Sequence, residues 1–183
     1  MPPSPKNVIS TIVATAEVDV DYSILESYAM GDGFIVLSEN GSMDSFNREG
    51  IKISSNQISE NIVASDSQGP LLTVSSSKGD VILISENSEK KILSGVKCNG
   101  ICISEKLILL STEDGDIISI DKQGDKRASV NLGDTTIMRI SDDHKQIVVA
   151  TEEGKMTVFN NDLEILNSSP PAKDDIEIVA NIS

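Results

Sequence analysis

Carboxylates are the side chains of this sequence best supplied for chemistry, and they come in clusters: Glu113-Asp114-Gly115-Asp116, Glu152-Glu153, Asp142-Asp143 and Asp174-Asp175. Two such groups facing each other across a sugar can serve as acid and base in glycoside cleavage. Spacing along the chain does not show that any pair is opposed. Sugar sites also tend to stack their ligand on aromatic rings, which make up 3% of this chain. No cluster fits the calcium loop D-x-[DN]-x-[DN]-G. The plain reading is that these acids sit in solvated turns.

The other reactive types are sparse. A Ser-His-Asp mechanism needs a base beside its nucleophile. The single histidine, His144, lies in Asp142-Asp143-His144-Lys145, which reads as an exposed polar turn between two strands. Ser75-Ser76-Ser77-Lys78 matches an S-x-x-K pattern. That chemistry places its serine at the start of a helix, and here it falls in a hairpin turn. Cys98 and Cys102 have neither the spacing of a CxxC pair nor that of a disulfide framework, and one histidine cannot complete a zinc set. Cys102 reads as a small core residue of a buried strand. Cys98 reads as open to solvent, with no neighbour that would lower its pKa. No catalytic residue, metal or cofactor is expected.

Composition narrows the partners. Asp and Glu number 29 against 15 Lys and Arg, so the net charge is −14. Phosphate backbones and anionic membrane surfaces are held by clustered Lys and Arg, and no basic block occurs, so neither nucleic acid nor membrane is expected as a ligand. A protein partner fits, basic if acidic surface is what it meets. Hydrophobic residues make up 38% of the chain, the composition of a folded domain. No apolar run approaches a membrane span, and the start of the chain lacks the apolar segment of a signal peptide. Residues 1–7 read as a flexible tail, and the compartment as cytoplasmic.

The elements that must position these groups follow from a repeat. Four segments share an apolar run, a polar turn ending in glycine, and a second apolar run. They are Phe34-Ile35-Val36-Leu37 to Gly41 to Met43 and Phe46; Leu71-Leu72-Thr73-Val74 to Gly79 to Val81-Ile82-Leu83-Ile84; Leu107-Ile108-Leu109-Leu110 to Gly115 to Ile117-Ile118; and Ile147-Val148-Val149-Ala150 to Gly154 to Met156 and Val158. The glycines stand 38, 36 and 39 residues apart. The first run is continuous, as in a strand buried on both faces. The glycine fits a tight hairpin that needs positive φ. A shorter run follows each pair (Ile51-Lys52-Ile53, Ile92-Leu93, Ala128-Ser129-Val130, Leu163-Glu164-Ile165-Leu166). Another precedes it (Ile24-Leu25, Ile62-Val63-Ala64, Ile101-Cys102-Ile103, Ile137-Met138-Arg139-Ile140). Four antiparallel strands in about 37 residues, with no helical periodicity, describe a propeller blade.

The sequence here resembles the WD-repeat and quinoprotein-type β-propeller repeats, and Ser111-Thr-Glu-Asp-Gly115-Asp-Ile-Ile-Ser-Ile-Asp121-Lys-Gln-Gly124 is most similar to the latter. The resemblance covers residues 22–173 and implies an all-β propeller, or part of one. No tryptophan is present, so neither the Trp-Asp ending nor the tryptophan that docks quinoprotein blades exists, and no quinone is expected. Blades are expected over residues 22–58, 59–97, 98–133 and 134–173, within a domain at 8–183. Residues 8–20 alternate as one strand, and residues 174–183 read as the first strand of a fifth blade. Either the former completes the latter's blade and closes a ring of about five, or the chain is one part of a longer propeller. The second is favoured, because the last blade would otherwise lack its long buried strand.

Two sets of site residues follow from these positions. The turns between second and third strands share one face and carry Glu39, Glu113, Asp114, Glu152 and Glu153, an acidic rim suited to a basic protein. The innermost strands carry Glu26, Asp66, Arg139 and Glu177, which line a central channel or point between blades. The expected function is a non-catalytic protein-interaction scaffold. The alternative is a carboxylate enzyme or carbohydrate binder working at the channel.

Overall fold

The computed structural model describes residues 17–58, 61–85, 88–141 and 143–170. The expected tail at 1–7, most of the expected strand at 8–20, all of that at 174–183, and Glu177 lie outside the described residues. Residues 17–20 are described and carry no strand.

Sixteen strands form among the described residues, in four antiparallel sheets of four. Blade 1 holds β1 (Ile24–Met30), β2 (Gly33–Ser38), β3 (Ser42–Asn47) and β4 (Lys52–Gln57). Blade 2 holds β5 (Ile62–Gln68), β6 (Leu71–Ser76), β7 (Val81–Ser85) and β8 (Ser88–Leu93). Blade 3 holds β9 (Cys98–Ile103), β10 (Ile108–Thr112), β11 (Asp116–Ile120) and β12 (Lys126–Asn131). Blade 4 holds β13 (Thr135–Ile140), β14 (Ile147–Thr151), β15 (Met156–Phe159) and β16 (Ile165–Ser168). In every sheet the strands pair in chain order, from the inner strand to the outer.

The continuous runs form the second strands because both of their faces are packed. In β10, Leu109 joins a core shared with Ile147, Val149 and Phe159 of blade 4. Its neighbours Ile108 and Leu110 join a core shared with Val81 and Ile92 of blade 2. All three are fully buried. Each such side chain contributes roughly 2–3 kcal/mol by leaving water. A third core joins Leu37 and Met43 of blade 1 to Leu72, Val74 and Ile84 of blade 2. The outer strands β4 and β16 are exposed throughout.

The glycine hairpins repeat in detail. Gly41, Gly79, Gly115 and Gly154 have φ of 84°, 87°, 81° and 74°. Each donates its N–H to the carbonyl three residues back, at Ser38, Ser76, Thr112 and Thr151. In the first three blades that residue's hydroxyl also accepts the N–H of Ser42, Asp80 or Asp116. The chain leaving the blade then returns to the same turn: Ile58, Val96 and Leu132 donate to the carbonyls of Gly41, Gly79 and Gly115 at 2.9–3.0 Å. At Gly115 the fit excludes a side chain, since a Cβ there would lie 2.7 Å from Gly133 Cα.

Each inner strand carries a register shift near its start. It falls between Ile24 and Glu26, between Ile62 and Ala64, opposite Ser111 and Thr112, and between Thr135 and Ile137. A bulge of this kind changes which way later side chains face.

Candidate functional site

The acidic rim stands where the hairpins end. Glu39, Glu113, Asp114, Glu152 and Glu153 are all exposed. Glu39 lies on the turn between β2 and β3, Glu113 and Asp114 on that between β10 and β11, and Glu152 and Glu153 on that between β14 and β15. Their backbone is fixed: Glu113 N–H donates to Lys97 O at 3.3 Å, Glu152 N–H to Asp134 O at 3.0 Å, and the Glu39 carbonyl accepts Ile62 N–H at 2.7 Å. Asn131 Nδ2 donates to the Asp114 carbonyl at 3.0 Å and to Asp116 Oδ1 at 2.9 Å.

Three acids elsewhere are neutralised in place. Lys52 Nζ meets Asp44 Oδ2 at 2.7 Å, Arg127 Nη2 meets Asp121 Oδ2 at 2.7 Å, and Lys91 pairs with Asp80. Asp44, Asp80 and Asp121 are buried. Burial alone would raise Asp44, but hydrogen bonds from Lys52, Ser55 and Tyr22 overcome it and hold its carboxyl below the ordinary range. None of the five rim carboxylates is in an ion pair with a described residue.

Three of the four expected channel residues take part in hydrogen bonds at the inner strands. Glu26 Oε2 accepts the Tyr28 hydroxyl and, at 3.0 Å, the Ser65 hydroxyl of blade 2. Asp66 Oδ2 accepts the backbone N–H of Ile103 in blade 3 at 2.8 Å. Burial raises the Asp66 carboxyl, while the Ile103 N–H and the Arg139 charge pull the other way. Arg139 Nη1 donates to Met138 O at 2.9 Å, the carbonyl that also accepts the Cys102 thiol at 3.0 Å. Asp66 therefore points between blades. Tyr28 was not a candidate from sequence; burial and then Glu26 push its phenol well up.

The remaining candidates are placed as follows. Ser75 is fully buried, and its hydroxyl donates to Cys98 O at 3.5 Å. His144 lies in a turn with φ 56°, half-buried rather than fully exposed. Cys98, expected open to solvent, is buried at 4% exposure, because it begins β9 against the blade 2 core. Desolvation pushes Cys98 up to about 11 and Cys102 up to about 12. Among the described residues no three His, Cys, Asp or Glu side chains gather where a metal could bind.

Composition also concealed an aromatic pair. Phe34 and Phe46, two of three phenylalanines, stack with centroids 5.1 Å apart. They border a cavity of about 470 Å³ between blades 1 and 2, with Met30, Met43, Ile53 and Ile84. Phe46 is 3% exposed, so its ring is no open platform for a sugar.

Four sheets of four strands, stacked through their second strands and tied at their inner strands, match known structures. The crystal structure of BBS1N in complex with ARL6DN, soaked with mercury, aligns with a TM-score of 0.71 at 14% identity over 83% of this chain and 56% of that one. The fold is a β-propeller. BamB from Moraxella catarrhalis aligns at 0.68 and 13% identity over 83% of this chain and 49% of its own. The C-terminal WD40 domain of Sif2 aligns at 0.67 and 12% identity over 87% and 51%. This propeller chain spans about half the length of the solved chains it matches. At such identities the likeness concerns fold alone. No family model matches the sequence, and neither does any curated protein sequence.

Proposed function

We propose that this propeller is a non-catalytic scaffold whose acidic rim receives a basic protein partner in the cytoplasm. The observation that carries the reading is the contrast among carboxylates. Asp44, Asp80 and Asp121 are buried and neutralised by Lys or Arg, whereas the five rim carboxylates stand exposed on backbone held by hydrogen bonds. Fixed charge on rigid turns steers a partner of opposite sign and costs little ordering when it docks. One solved relative in fold, BBS1N, is described in complex with another protein, ARL6DN, which is in keeping with protein binding on this architecture. Two buried, unpaired cysteines agree with a reducing compartment.

The channel alternative draws less support. Glu26 Oε2 and Asp66 Oδ2 already accept hydrogen bonds from the next blade, from the Ser65 hydroxyl and the Ile103 N–H. The test is affinity isolation of the tagged chain from its own cell lysate at low and high salt. A stoichiometric partner with a basic surface, released by salt, supports the scaffold. Hydrolysis of a glycoside by the purified chain, abolished in Glu26→Gln or Asp66→Asn, overturns it.

A further inference from the structure

Blades 2 and 3 guard their outer edges with charge. β8 carries Lys90 and Lys91, and β12 begins with Lys126 and Arg127, all of them exposed. Charge on an edge strand discourages pairing with another chain. Blade 1 lacks this guard. β4 is the last strand of its sheet and is exposed along its whole length, so among the described residues no strand meets its outer side. From Ile53 to Gln57 it holds no charged residue. Its one lysine, Lys52, is drawn back to Asp44 at 2.7 Å. Ile53 is 68% exposed. β16 of blade 4 is also uncharged, but it has only four residues.

The edge of β4 borders the cavity of about 470 Å³ between blades 1 and 2. Ser54 and Asn56 are exposed on β4 and also line the cavity, so its mouth lies at the edge of the sheet. Small residues leave this space open. Ser45 pairs with Ile35 on one side and with Ser54 on the other. Blade 2 has Leu83 at the position of Ser45, four residues after the turn glycine. Met30, Phe34, Ile35, Met43 and Ile84 supply apolar wall, and among the described residues no Lys, Arg or His lines it. Mostly apolar walls with a few polar groups at the mouth are the usual make-up of a binding pocket, and this volume lies in the usual range.

We propose that β4 and the adjoining cavity form a docking site for an extended segment of a partner protein. The segment pairs with the free edge of β4 as a fifth strand of blade 1 and sets one large apolar side chain, best an aromatic one, into the cavity. In recognition of this kind, main-chain hydrogen bonds supply affinity and pockets for alternate side chains supply specificity. β4 offers the first and the cavity offers the second. The surface is separate from the acidic rim, and the inference does not depend on the rim.

The full chain and four capped heptapeptides test it. The peptides alternate threonine and valine about a central phenylalanine, tryptophan, leucine or alanine. An aromatic centre should bind about 10–100-fold more tightly than alanine, the scale of burying one such side chain. Amide hydrogen exchange should slow in β4 and not in β16. Ser54→Lys, on an exposed edge, should weaken all four peptides. Ser45→Leu fills the cavity and should remove the preference for an aromatic centre while β4 is still protected. No binding by any peptide, equal affinity for all four, or equal protection of β4 and β16 overturns the proposal. So does unchanged affinity in Ser54→Lys, or an aromatic preference kept in Ser45→Leu. Slow exchange of every β4 amide in the free chain overturns the assignment to a partner. At all concentrations it would mean that the chain's own residues cover the edge. Only at high concentration, with dimer by light scattering, it would mean a second copy.

Discussion

Asp66 Oδ2 accepts the backbone N–H of Ile103, 37 residues further along the chain, at 2.8 Å. The bond joins the inner strands of blades 2 and 3, beside the Ser75 to Cys98 contact between the same blades. Because Ile103 is buried, its N–H has no water to turn to when the carboxylate is removed. Asp66→Ala should therefore cost about 1–3 kcal/mol. Asp66→Asn keeps an accepting oxygen and removes a charge from a partly desolvated place, so it should equal or exceed the wild type at neutral pH. Urea unfolding of the two variants separates these outcomes.

Blades 2 and 1 carry acids of opposite pH response. Asp66 is raised in the fold, so between its unfolded and folded pKa the folded state binds more protons, and stability falls as pH rises through that window. Asp44 is lowered, so the stability it supplies is present above the unfolded pKa and is lost as pH falls through the folded one. Stability of Asp66→Asn measured above the ordinary carboxylate pKa should thus lose a falling component, and stability of Asp44→Asn measured below it a rising one. Parallel curves for both variants and the wild type would contradict these assignments.

Gly115 and Gly69 both have positive φ, at 81° and 56°, but differ in their surroundings. A Cβ at Gly115 would meet Gly133 backbone atoms at 2.7–2.9 Å, whereas none lies within 4 Å of one at Gly69. Gly69→Ala should cost only the backbone strain, about 1–2 kcal/mol. Gly115→Ala should cost clearly more, since two backbones must part and the Leu132 to Gly115 bond is disturbed. Thermal denaturation of the pair measures the difference.

Both thiols should be unreactive in the folded protein. Burial raises Cys98 to about 11 and Cys102 to about 12, so thiolate is scarce near pH 8. A thiol reagent should label neither residue until denaturant is added, and then label both at one rate. Prompt labelling of Cys98 alone would mean that the start of β9 opens without the rest of the blade.

Much of this architecture was legible because two demands act on residue type. A strand packed on both faces needs an unbroken apolar run, as at Ile108, Leu109 and Leu110, and a hairpin closing on a neighbouring turn needs glycine, as at Gly115. The inner edge was not legible in the same way. The positions that pair with Ile35, Thr73, Leu109 and Val148 are filled by Tyr28, Asp66, Cys102 and Arg139, four chemistries that no residue pattern unites. The register shifts near the start of each inner strand also break the alternation by which a face is assigned. Cys98 was misplaced because the apolar run in the sequence starts at Ile101, whereas β9 begins at Cys98, which packs against the blade 2 core. The stacking of Phe34 on Phe46 depends on β2 pairing with β3, in which the two stand directly opposite, and a count of aromatics carries no such information.

The rim variant bearing Lys at Glu39, Glu113, Asp114, Glu152 and Glu153 provides the most direct test of the scaffold reading. Its control reverses charge at Asp162 and Glu164, exposed acids on the turn between β15 and β16. Partner recovery from lysate, quantified beside the wild type with equal melting temperatures confirmed, should be lost in the rim variant and kept in the control. Equal recovery from all three proteins would contradict the account, because the charge held at the rim would then contribute nothing to what this propeller binds.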